Sequence, residues 1–347
     1  MSMDISKRRR WRGLLAAVPA LAVALTLGAC GSESGDSTST ASPATAAATS
    51  EAPPEMTKVK ASVIASADYA PVFIGQEHGF FEEEGIDLDL AVGGLSATVF
   101  PQLVNGQMDM FGSALGSMIT AVAQGLPLVT IAPTSVGGNT LEDDTHHIIA
   151  LKSSGIESLE DLKGKTMGVP ALGQIGEAVV RVTLEEAGLE PSDVRLVAVN
   201  FPDMPAALST GKVDSLQVGE PFLTVLKQSE DIVSLAPGSG GNLTDPPFMG
   251  WIASEKYVEE NPDVVRRFQR AWKKAVEYTI DNPDEARTVL SRDLKVDESV
   301  AAEMILPRWT TASDPVKLQE VADLMTETGV LDEKVDVGSA VKENPLP

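Results

Sequence analysis

The sequence contains few of the residues from which reactive centres are most often built. Its 347 residues include one cysteine, Cys30, and three histidines, His78, His146 and His147. A single cysteine excludes an intramolecular disulfide and a cysteine-rich metal cluster. The chain also lacks the sequence motifs of serine hydrolases, phosphate-binding loops and zinc proteases. We therefore expect a protein that is not an enzyme and that has no catalytic residue, no cofactor and no metal ion.

Positive charge is also scarce. The chain has 27 lysine and arginine residues against 50 aspartate and glutamate residues, which gives a formal net charge of −23 at pH 7. A strongly acidic surface repels phosphate backbones and anionic lipid headgroups. This balance argues against nucleic acid and anionic lipid as partners.

Five of the basic residues lie together within residues 7–12, and an apolar run follows over residues 14–27. A basic segment before a short apolar run is typical of a secretory signal, and this run is too short for a stable membrane span. The run ends in Leu-Gly-Ala-Cys, which fits a bacterial lipobox. We predict a signal peptide over residues 1–29 and a lipid anchor at Cys30, which would hold the protein on the extracytoplasmic face of the cell membrane.

Large apolar residues are almost absent from the next segment, residues 30–57. It consists mainly of serine, threonine, alanine, glycine, proline and glutamate. Such a segment cannot bury enough apolar surface to fold. We predict a flexible linker between the lipidated cysteine and the folded part of the chain.

The folded part contains an internal repeat. The stretch Leu103–Pro133 has a shortened counterpart in Leu208–Pro237, and Gly106 and Asp109 recur 105 positions later. A repeat of this length indicates two copies of one domain and not a solenoid of small units. In both copies short apolar strands alternate with helices, which is typical of parallel βαβ units. The repeat predicts two similar α/β lobes.

Two apolar strands are predicted to connect the lobes. The strand His147–Leu151 leaves the first unit, and Met249–Ala253 resembles it and is interpreted as the return crossing. The predicted first lobe therefore comprises residues 58–152 and 248–347, and the second comprises residues 153–247. Everything beyond the return crossing reads as helix, so we expect this tail to pack on the first lobe without adding strands.

The loops that follow the predicted strands are the expected place for a ligand. Open parallel sheets bind ligands beyond the carboxyl ends of their strands. These loops contain small, polar and acidic residues but no lysine or arginine. Ligands with several negative charges usually recruit at least one basic side chain. The composition of the loops predicts a small ligand of low charge.

Glu220 is the residue in which the two copies differ most informatively. The first copy has Leu115 at the equivalent place, whereas the second has a carboxylate directly before Pro221. Glu220 either accepts hydrogen bonds from an amine or amidine of a ligand, or braces the hinge, or is a first-turn acid that complements a helix dipole.

Other polar residues of these loops also have two interpretations. Ser96, Thr98 and Ser113 either donate hydrogen bonds to a ligand or cap helices. Tyr69 either closes over a ligand or belongs to the edge of the core. The residues alone leave these alternatives open.

The adjacent histidines His146 and His147 lie beside Asp143 and Asp144. A group of these residue types is compatible with a metal site. Neighbouring residues of a strand, however, point to opposite faces of the sheet. The two imidazoles are therefore expected to diverge, and no metal site is predicted.

Several segments together resemble the nitrate, sulfonate and taurine class of ABC-importer solute-binding proteins, whose fold is shared by binding proteins for pyrimidine precursors of thiamine. The segments are Ala70–Leu88, Leu103–Asp109, Ser158–Lys165, Gly211–Asp214 and Glu220–Phe222. The resemblance extends over nearly all of residues 58–310. It is specific for the superfamily and weak for the ligand.

The resemblance implies a type II periplasmic-binding-protein fold, in which two α/β lobes are joined by two hinge crossovers. It implies a monomer that holds a small molecule in the cleft, closes around it and delivers it to an ABC permease driven by a cytoplasmic ATPase. Many relatives have tryptophan where this chain has Gly219, which is expected to widen the pocket. The ligand-binding residues implied by the resemblance are Asp68, Tyr69, Ser96, Thr98, Ser113, Gln174, Asn200 and Glu220.

The resemblance leaves the ligand open. The leading expectation is a sulfonate, an aromatic acid, or an anion similar to nitrate or taurine, and the alternative is a pyrimidine precursor of thiamine. Two further readings are a pyrimidine-synthesising enzyme and a sensory receptor of the same fold. Such enzymes require a reactive lysine, histidine and cysteine, whereas the one cysteine here is assigned to lipidation.

Overall fold

The structure is a computed structural model that describes residues 56–342. These residues belong to one compact unit. The predicted signal peptide, the lipidation site Cys30 and all but the end of the linker lie outside the described residues. Within residues 56–342, no helix is long and apolar enough to cross a membrane.

The described chain forms two β-sheets. The first sheet has six strands in the order β11-β4-β10-β3-β1-β2, and the second has five in the order β7-β6-β8-β5-β9. In chain order the strands are β1 Thr57–Val63, β2 Ile86–Val92, β3 Met110–Ala114, β4 Leu128–Val136, β5 His146–Leu151, β6 Thr166–Val169, β7 Arg195–Ala198, β8 Ser215–Gly219, β9 Ile232–Pro237, β10 Pro247–Ser254 and β11 Arg308–Trp309.

The two sheets repeat one topology. Read from β2, the first sheet runs β2-β1-β3-β10-β4, and the second runs β7-β6-β8-β5-β9. In each of these five-strand series the fourth strand is antiparallel to both neighbours and follows, in the chain, the fifth strand of the other series. Two chain crossings therefore join the sheets, and the internal repeat of the sequence corresponds to a repeat of the fold.

The residues that mark the repeat have the same function in both copies. Gly106 and its counterpart, 105 residues later, have φ angles of 69° and 70°, which lie in the left-handed region that favours glycine. Asp109 Oδ2 accepts a hydrogen bond of 2.8 Å from the backbone N–H of Lys60. Asp214 Oδ2 accepts the equivalent bond, also 2.8 Å, from Thr166. Each aspartate thus ties the start of one strand to its parallel neighbour.

Three details differ from the sequence-based expectation. The strand predicted over residues 108–111 begins later, at Met110, because residues 105–109 form the turn and the aspartate bond. The predicted lobe boundary after residue 152 would place β5 in the first lobe. In the structure β5 pairs with β8 and β9 in the second sheet. The tail contributes the two-residue strand β11, which pairs with Val136 and Ser135 of β4.

The helices cover the sheets and form the carboxyl-terminal tail. They are α1 Ala70–Glu77, α2 Phe80–Glu83, α3 Ser96–Val104, α4 Leu115–Ala123, α5 Ile175–Glu186, α6 Met204–Ser209, α7 Phe222–Ser229, α8 Glu255–Glu260, α9 Pro262–Asp281, α10 Pro283–Arg292, α11 Glu298–Glu303 and α12 Pro315–Glu327.

The longest helix, α9, fixes the tail to the first sheet. It begins with Pro262, whose missing N–H costs nothing in the first turn. Its apolar face buries Phe268 and Trp272 against Trp251 of β10, with ring centroids 4.9 and 5.4 Å from the Trp251 ring. The Trp272 indole N–H donates a 2.7 Å hydrogen bond to the carbonyl of Pro133. Through these contacts α9 packs against β10 and β4 of the first sheet.

Candidate functional site

A cavity of about 300 Å³ lies between the two sheets, where strands of both end. Open parallel sheets place ligands at this edge. The lining residues from the first half and the tail are 64–68, Ala114, Ser117, Phe248, Met249 and Pro307; those from the second half are Thr145, His146, 170–171, 174–176, Phe201, Gln217 and 220–222. None of these is lysine or arginine.

Asp68 brings a carboxylate to the wall of the cavity that belongs to the first sheet. It is buried, and its two oxygens accept 2.5 Å hydrogen bonds from the hydroxyls of Ser66 and Ser135. The Trp309 indole N–H donates to the backbone carbonyl of Asp68 at 3.0 Å. These bonds hold the carboxylate in place and leave each oxygen capacity for another donor, since an ionised carboxylate accepts at about four positions.

Glu220 brings a second carboxylate from the opposite wall. It accepts bonds from the Thr224 N–H (3.0 Å) and hydroxyl (2.9 Å), and from the N–H of Ile305 in the tail (3.1 Å). Burial raises the pKa of Glu220, and these donors, which favour the carboxylate, oppose the increase. Glu220 thus acts as a helix cap and as a link between the second half and the tail, while its side chain also lines the cavity.

Two glutamines of the second half line the same space. The Gln174 side-chain oxygen accepts a 3.1 Å hydrogen bond from the hydroxyl of Ser117, which joins the start of α5 to α4 across the cleft. Gln217 is buried, and its amide N–H donates to the carbonyl of Gly238 at 2.6 Å. The Gln217 oxygen has no partner among the described residues. The cavity is therefore rich in hydrogen-bond acceptors.

Aromatic rings form one side of the cavity. The rings of Phe201 and Phe222 are stacked with centroids 5.9 Å apart. His146 lies edge-on to Phe248 at 5.1 Å and to Phe201 at 6.5 Å. Flat rings of this kind favour a planar, partly apolar ligand.

The position of His146 depends on Gly219. The two residues are direct partners in the pairing of β5 with β8. A Cβ atom at position 219 would lie only 2.3 Å from His146 Nε2. The space expected to widen the pocket at Gly219 is therefore occupied by the imidazole ring.

Several predicted ligand-binding residues do not line the cavity. Tyr69 is fully buried beneath it, and its hydroxyl lies 2.9 and 3.1 Å from the carbonyl oxygens of Gly250 and Ser113. Ser96 and Ser113 have hydroxyls 2.8 Å apart. Thr98 donates to the carbonyl of Leu95 at 2.8 Å. Tyr69 therefore packs in the core, and Thr98 bonds at the start of a helix, as the non-binding interpretations of these two residues predicted.

Of the eight predicted residues, the structure brings Asp68, Gln174 and Glu220 to the cavity. Asn200 is exposed and is not part of the lining. His146, Gln217 and the phenylalanines line the cavity but were not among the predicted residues. The repeat gave a signal for Gln217, because it lies in the strand just before Glu220. No local signal places His146 over Gly219, since strand pairing across about seventy residues decides it.

His147 diverges from His146, as the strand geometry predicts. It is buried, its Nδ1 lies 2.9 Å from the Ser234 hydroxyl, and its Nε2 has no hydrogen-bond partner among the described residues. Burial is the main cause that lowers the pKa of both His146 and His147 to about 4. Residues 56–342 contain no cluster of three potential metal ligands.

A second cavity, of about 340 Å³, lies between β4 and residues 308–318 of the tail. It contains Arg308 and Lys317, and both are directed to Asp245, at 2.6 and 3.8 Å. It belongs to one sheet and the tail, whereas the first cavity is lined from both halves. The first cavity is thus the candidate site.

The chain resembles known proteins over most of its length. Relatives include a formylaminopyrimidine-binding protein of Halalkalibacterium halodurans, 27% identical over 63% of this chain and 64% of the relative. A putative aliphatic sulfonates-binding protein of Bacillus subtilis is 28% identical over 78% of this chain and 82% of the relative. A 4-amino-5-hydroxymethyl-2-methylpyrimidine phosphate synthase of Saccharomyces cerevisiae is 24% identical over 63% of this chain and 65% of the relative.

Solved structures share the fold. The alkanesulfonate-binding protein SsuA of Xanthomonas axonopodis pv. citri, bound to MOPS, aligns with a TM-score of 0.69 and 18% identity over 84% of this chain and all of SsuA. The periplasmic nitrate-binding protein NrtA of Synechocystis PCC 6803 aligns with a TM-score of 0.66 and 19% identity over 82% of this chain and 85% of NrtA. The fold is therefore that of periplasmic binding proteins, with two α/β lobes and two crossovers.

The identities to these single relatives are all below 30%, and they do not by themselves assign this chain to a family. A family model makes that assignment. The model described as "NMT1/THI5 like" matches residues 66–286, which is more than half of the chain and includes both sheets' central strands. The match contains Asp68, Gln174 and Glu220. This protein belongs to the NMT1/THI5-like family.

Proposed function

We propose that this protein is the extracytoplasmic, lipid-anchored solute-binding protein of an ABC importer, and that it captures a small nitrogen heteroaromatic solute, neutral or cationic. The binding-protein relatives and the shared fold support the first part. The predicted lipobox at Cys30 supports the anchor, although that residue lies outside the described part of the chain.

The observation that carries the ligand class is the charge of the cavity. Two carboxylates, Asp68 and Glu220, face it, and no lysine or arginine lines it. An anion such as a sulfonate or nitrate would lose its water without gaining a cation, which is costly. An amino group or ring N–H would instead find acceptors in the two carboxylates.

The aromatic rings support the same class. Phe201, Phe222 and Phe248 offer flat surfaces on which a heteroaromatic ring packs well. A cavity of about 300 Å³ fits a solute of one ring with small substituents. Among the solutes expected from the sequence, a pyrimidine precursor therefore fits better than the sulfonates, aromatic acids and nitrate-like anions of the leading expectation.

The mechanism follows from groups on both sides of the cleft. Ser117 and Gln174 are joined across it, and so are Glu220 and Ile305. A ligand that bridges the two carboxylates adds to these contacts. It binds the closed arrangement more tightly than the open one and thereby stabilises the closed arrangement. We propose that the closed form is the one recognised by the permease, and that the two crossovers permit reopening.

The test is a binding panel on the purified protein. Native mass spectrometry identifies any solute that copurifies, and thermal unfolding then compares 4-amino-5-hydroxymethyl-2-methylpyrimidine and cytosine with MOPS, taurine and nitrate. At a hundredfold excess over Kd a ligand stabilises the folded state by about 2.7 kcal/mol. We expect a higher melting temperature with the pyrimidine and no change with the anions.

Variants connect the binding to the cavity. Asp68→Asn and Glu220→Gln keep the shape of the side chains and remove the charge, so each should weaken pyrimidine binding about tenfold or more. Asp87→Asn, an exposed aspartate of β2, is the matched control. Stabilisation by MOPS or nitrate with no response to pyrimidines would overturn the proposed ligand class.

A further inference from the structure

Among the described residues, His146, which lines the cavity, is held by a hydrogen bond at only one of its two ring nitrogens. His146 Nδ1 lies 3.1 Å from the hydroxyl of Thr145. The other ring nitrogen, Nε2, lies over Gly219. His146 is one of the residues that line the cavity. No described residue forms a hydrogen bond with Nε2. The ring is thus held at Nδ1, and Nε2, which lies against Gly219, has no hydrogen-bond partner within residues 56–342.

The fold holds this ring in a defined place. Strand pairing sets His146 directly opposite Gly219. The absence of a side chain at position 219 lets the imidazole lie against the strand, because a Cβ atom there would overlap Nε2. Phe248 and Phe201 contact the ring edge from the two halves of the molecule. A ring that is packed in this way loses little freedom when it binds a ligand.

The ring is also neutral under ordinary conditions. Burial lowers the pKa of His146 to about 4, while the nearby Asp68 carboxylate acts in the opposite direction. A neutral imidazole has one donor and one acceptor nitrogen. It complements a heteroaromatic ring, which also presents both kinds of group, without adding a positive charge to the site.

We propose that His146, seated over Gly219, is a specificity-determining residue that hydrogen-bonds through Nε2 to a ring nitrogen or ring substituent of the heteroaromatic solute. The proposal rests on the proposed function. The carboxylates select for the charge of the ligand, whereas the imidazole fixes the position and orientation of its ring. The residue at 219 then controls the site indirectly, by deciding whether the imidazole has room.

Calorimetric titration with 4-amino-5-hydroxymethyl-2-methylpyrimidine tests the roles of His146 and Gly219. His146→Phe keeps an aromatic ring and removes both nitrogens, so we expect Kd to rise about tenfold. His146→Gln restores an amide nitrogen close to the Nε2 position and should recover part of the loss. His78→Phe, which changes the exposed residue that directly follows α1, is the matched control and should bind like wild type. Circular dichroism and thermal unfolding check that each variant is folded.

A double-mutant cycle separates the pair from a general loss of packing. Gly219→Ala alone should weaken binding about tenfold, because its methyl group displaces the ring. In the His146→Ala background the same change should have less than a twofold effect, since no ring remains to be displaced. If wild type binds the pyrimidine while His146→Phe and Gly219→Ala bind it equally well, the inference is wrong and the proposed function stands. If wild type binds neither this pyrimidine nor cytosine, both are wrong.

Discussion

Two adjacent histidines show how burial decides the chemistry of a single residue. His146 lines the cavity, and its imidazole contacts aromatic rings. His147, one position along β5, is directed to Ser234 and is almost fully buried, with 1% of its surface exposed. Burial disfavours the charged form of both rings, so the pKa of each falls to about 4. One ring lines the cavity, and the other is enclosed in the core of the second half.

The buried His147 predicts a pH dependence of stability. The unfolded chain binds a proton at this side chain near pH 6.5, whereas the folded chain does so only near pH 4. Protons therefore favour unfolding between these values. Lowering the pH from 7 to 5 should reduce the free energy of unfolding by about 2 kcal/mol through this residue alone.

Urea denaturation of wild type and His147→Gln at both pH values measures this contribution. Burial raises the pKa of Glu220 and of Asp144, so these carboxyls act in the opposite direction. Both proteins retain them, and the comparison at equal pH therefore isolates His147. An identical loss of stability in the two proteins would show that His147 is not responsible.

At the scale of elements, the repeat is maintained by the turn that precedes each central strand. In both copies a glycine with positive φ ends the helix, and an aspartate three residues later accepts a backbone N–H from the neighbouring strand. The backbone N–H of each aspartate also donates to the carbonyl of the residue whose N–H it accepts. The distance is 3.0 Å from Asp109 to Lys60 and 2.8 Å from Asp214 to Thr166. The repeated residues thus fix the register of a parallel strand pair.

This equivalence predicts that the two aspartates stabilise the fold to similar extents. Asp109→Ala and Asp214→Ala each remove the acceptor of a strand N–H, and each should cost about 1–2 kcal/mol of unfolding free energy. Chemical denaturation of the two variants measures the cost. Asp87→Ala, which changes an exposed aspartate of β2, should remain within about 0.5 kcal/mol of wild type. A cost at only one of the two positions would contradict the equivalence.

At the scale of the whole molecule, Arg308 of β11 contacts both chain crossings. Its guanidinium donates to the Gly137 carbonyl at 2.9 Å and to the Asp245 carboxylate at 2.6 Å. Asp143 lies 3.7 Å from its Nε. Gly137 and Asp143 precede β5, and Asp245 precedes β10. The tail therefore bridges the two connections on which bending between the lobes depends.

Removing this bridge should shift the protein towards more open arrangements. Arg308→Ala removes a side chain that contacts both crossings, so we expect a larger radius of gyration without ligand and an apparent Kd for the pyrimidine about threefold higher. Small-angle scattering and calorimetry measure the two effects. Lys317→Ala, which removes only the 3.8 Å contact with Asp245, is the control and should change neither. Wild-type values for Arg308→Ala would exclude a role of the bridge in bending.

The repeat, the two lobes and the strand-end position of the site could be predicted from the sequence, because they follow from periodicity and short-range turns. Gly106 and Asp109 signalled the duplication by themselves. Individual side chains were predicted less well. Tyr69 lies at the right strand end, but its ring points into the core, since Gly112 leaves room for it there. A loop position indicates nearness to a site and does not give the direction of a side chain.

The sequence by itself determined that the chain has two related α/β halves, few cations near its strand ends and a carboxylate at Glu220 with no counterpart in the first copy. Only the tertiary structure decided that β5 pairs within the second sheet, that His146 fills the space over Gly219 and that Glu220 also binds the tail. These features depend on contacts between residues about seventy or more positions apart. Local propensity carries no information about such contacts, whereas burial and strand pairing fix them once the chain has folded.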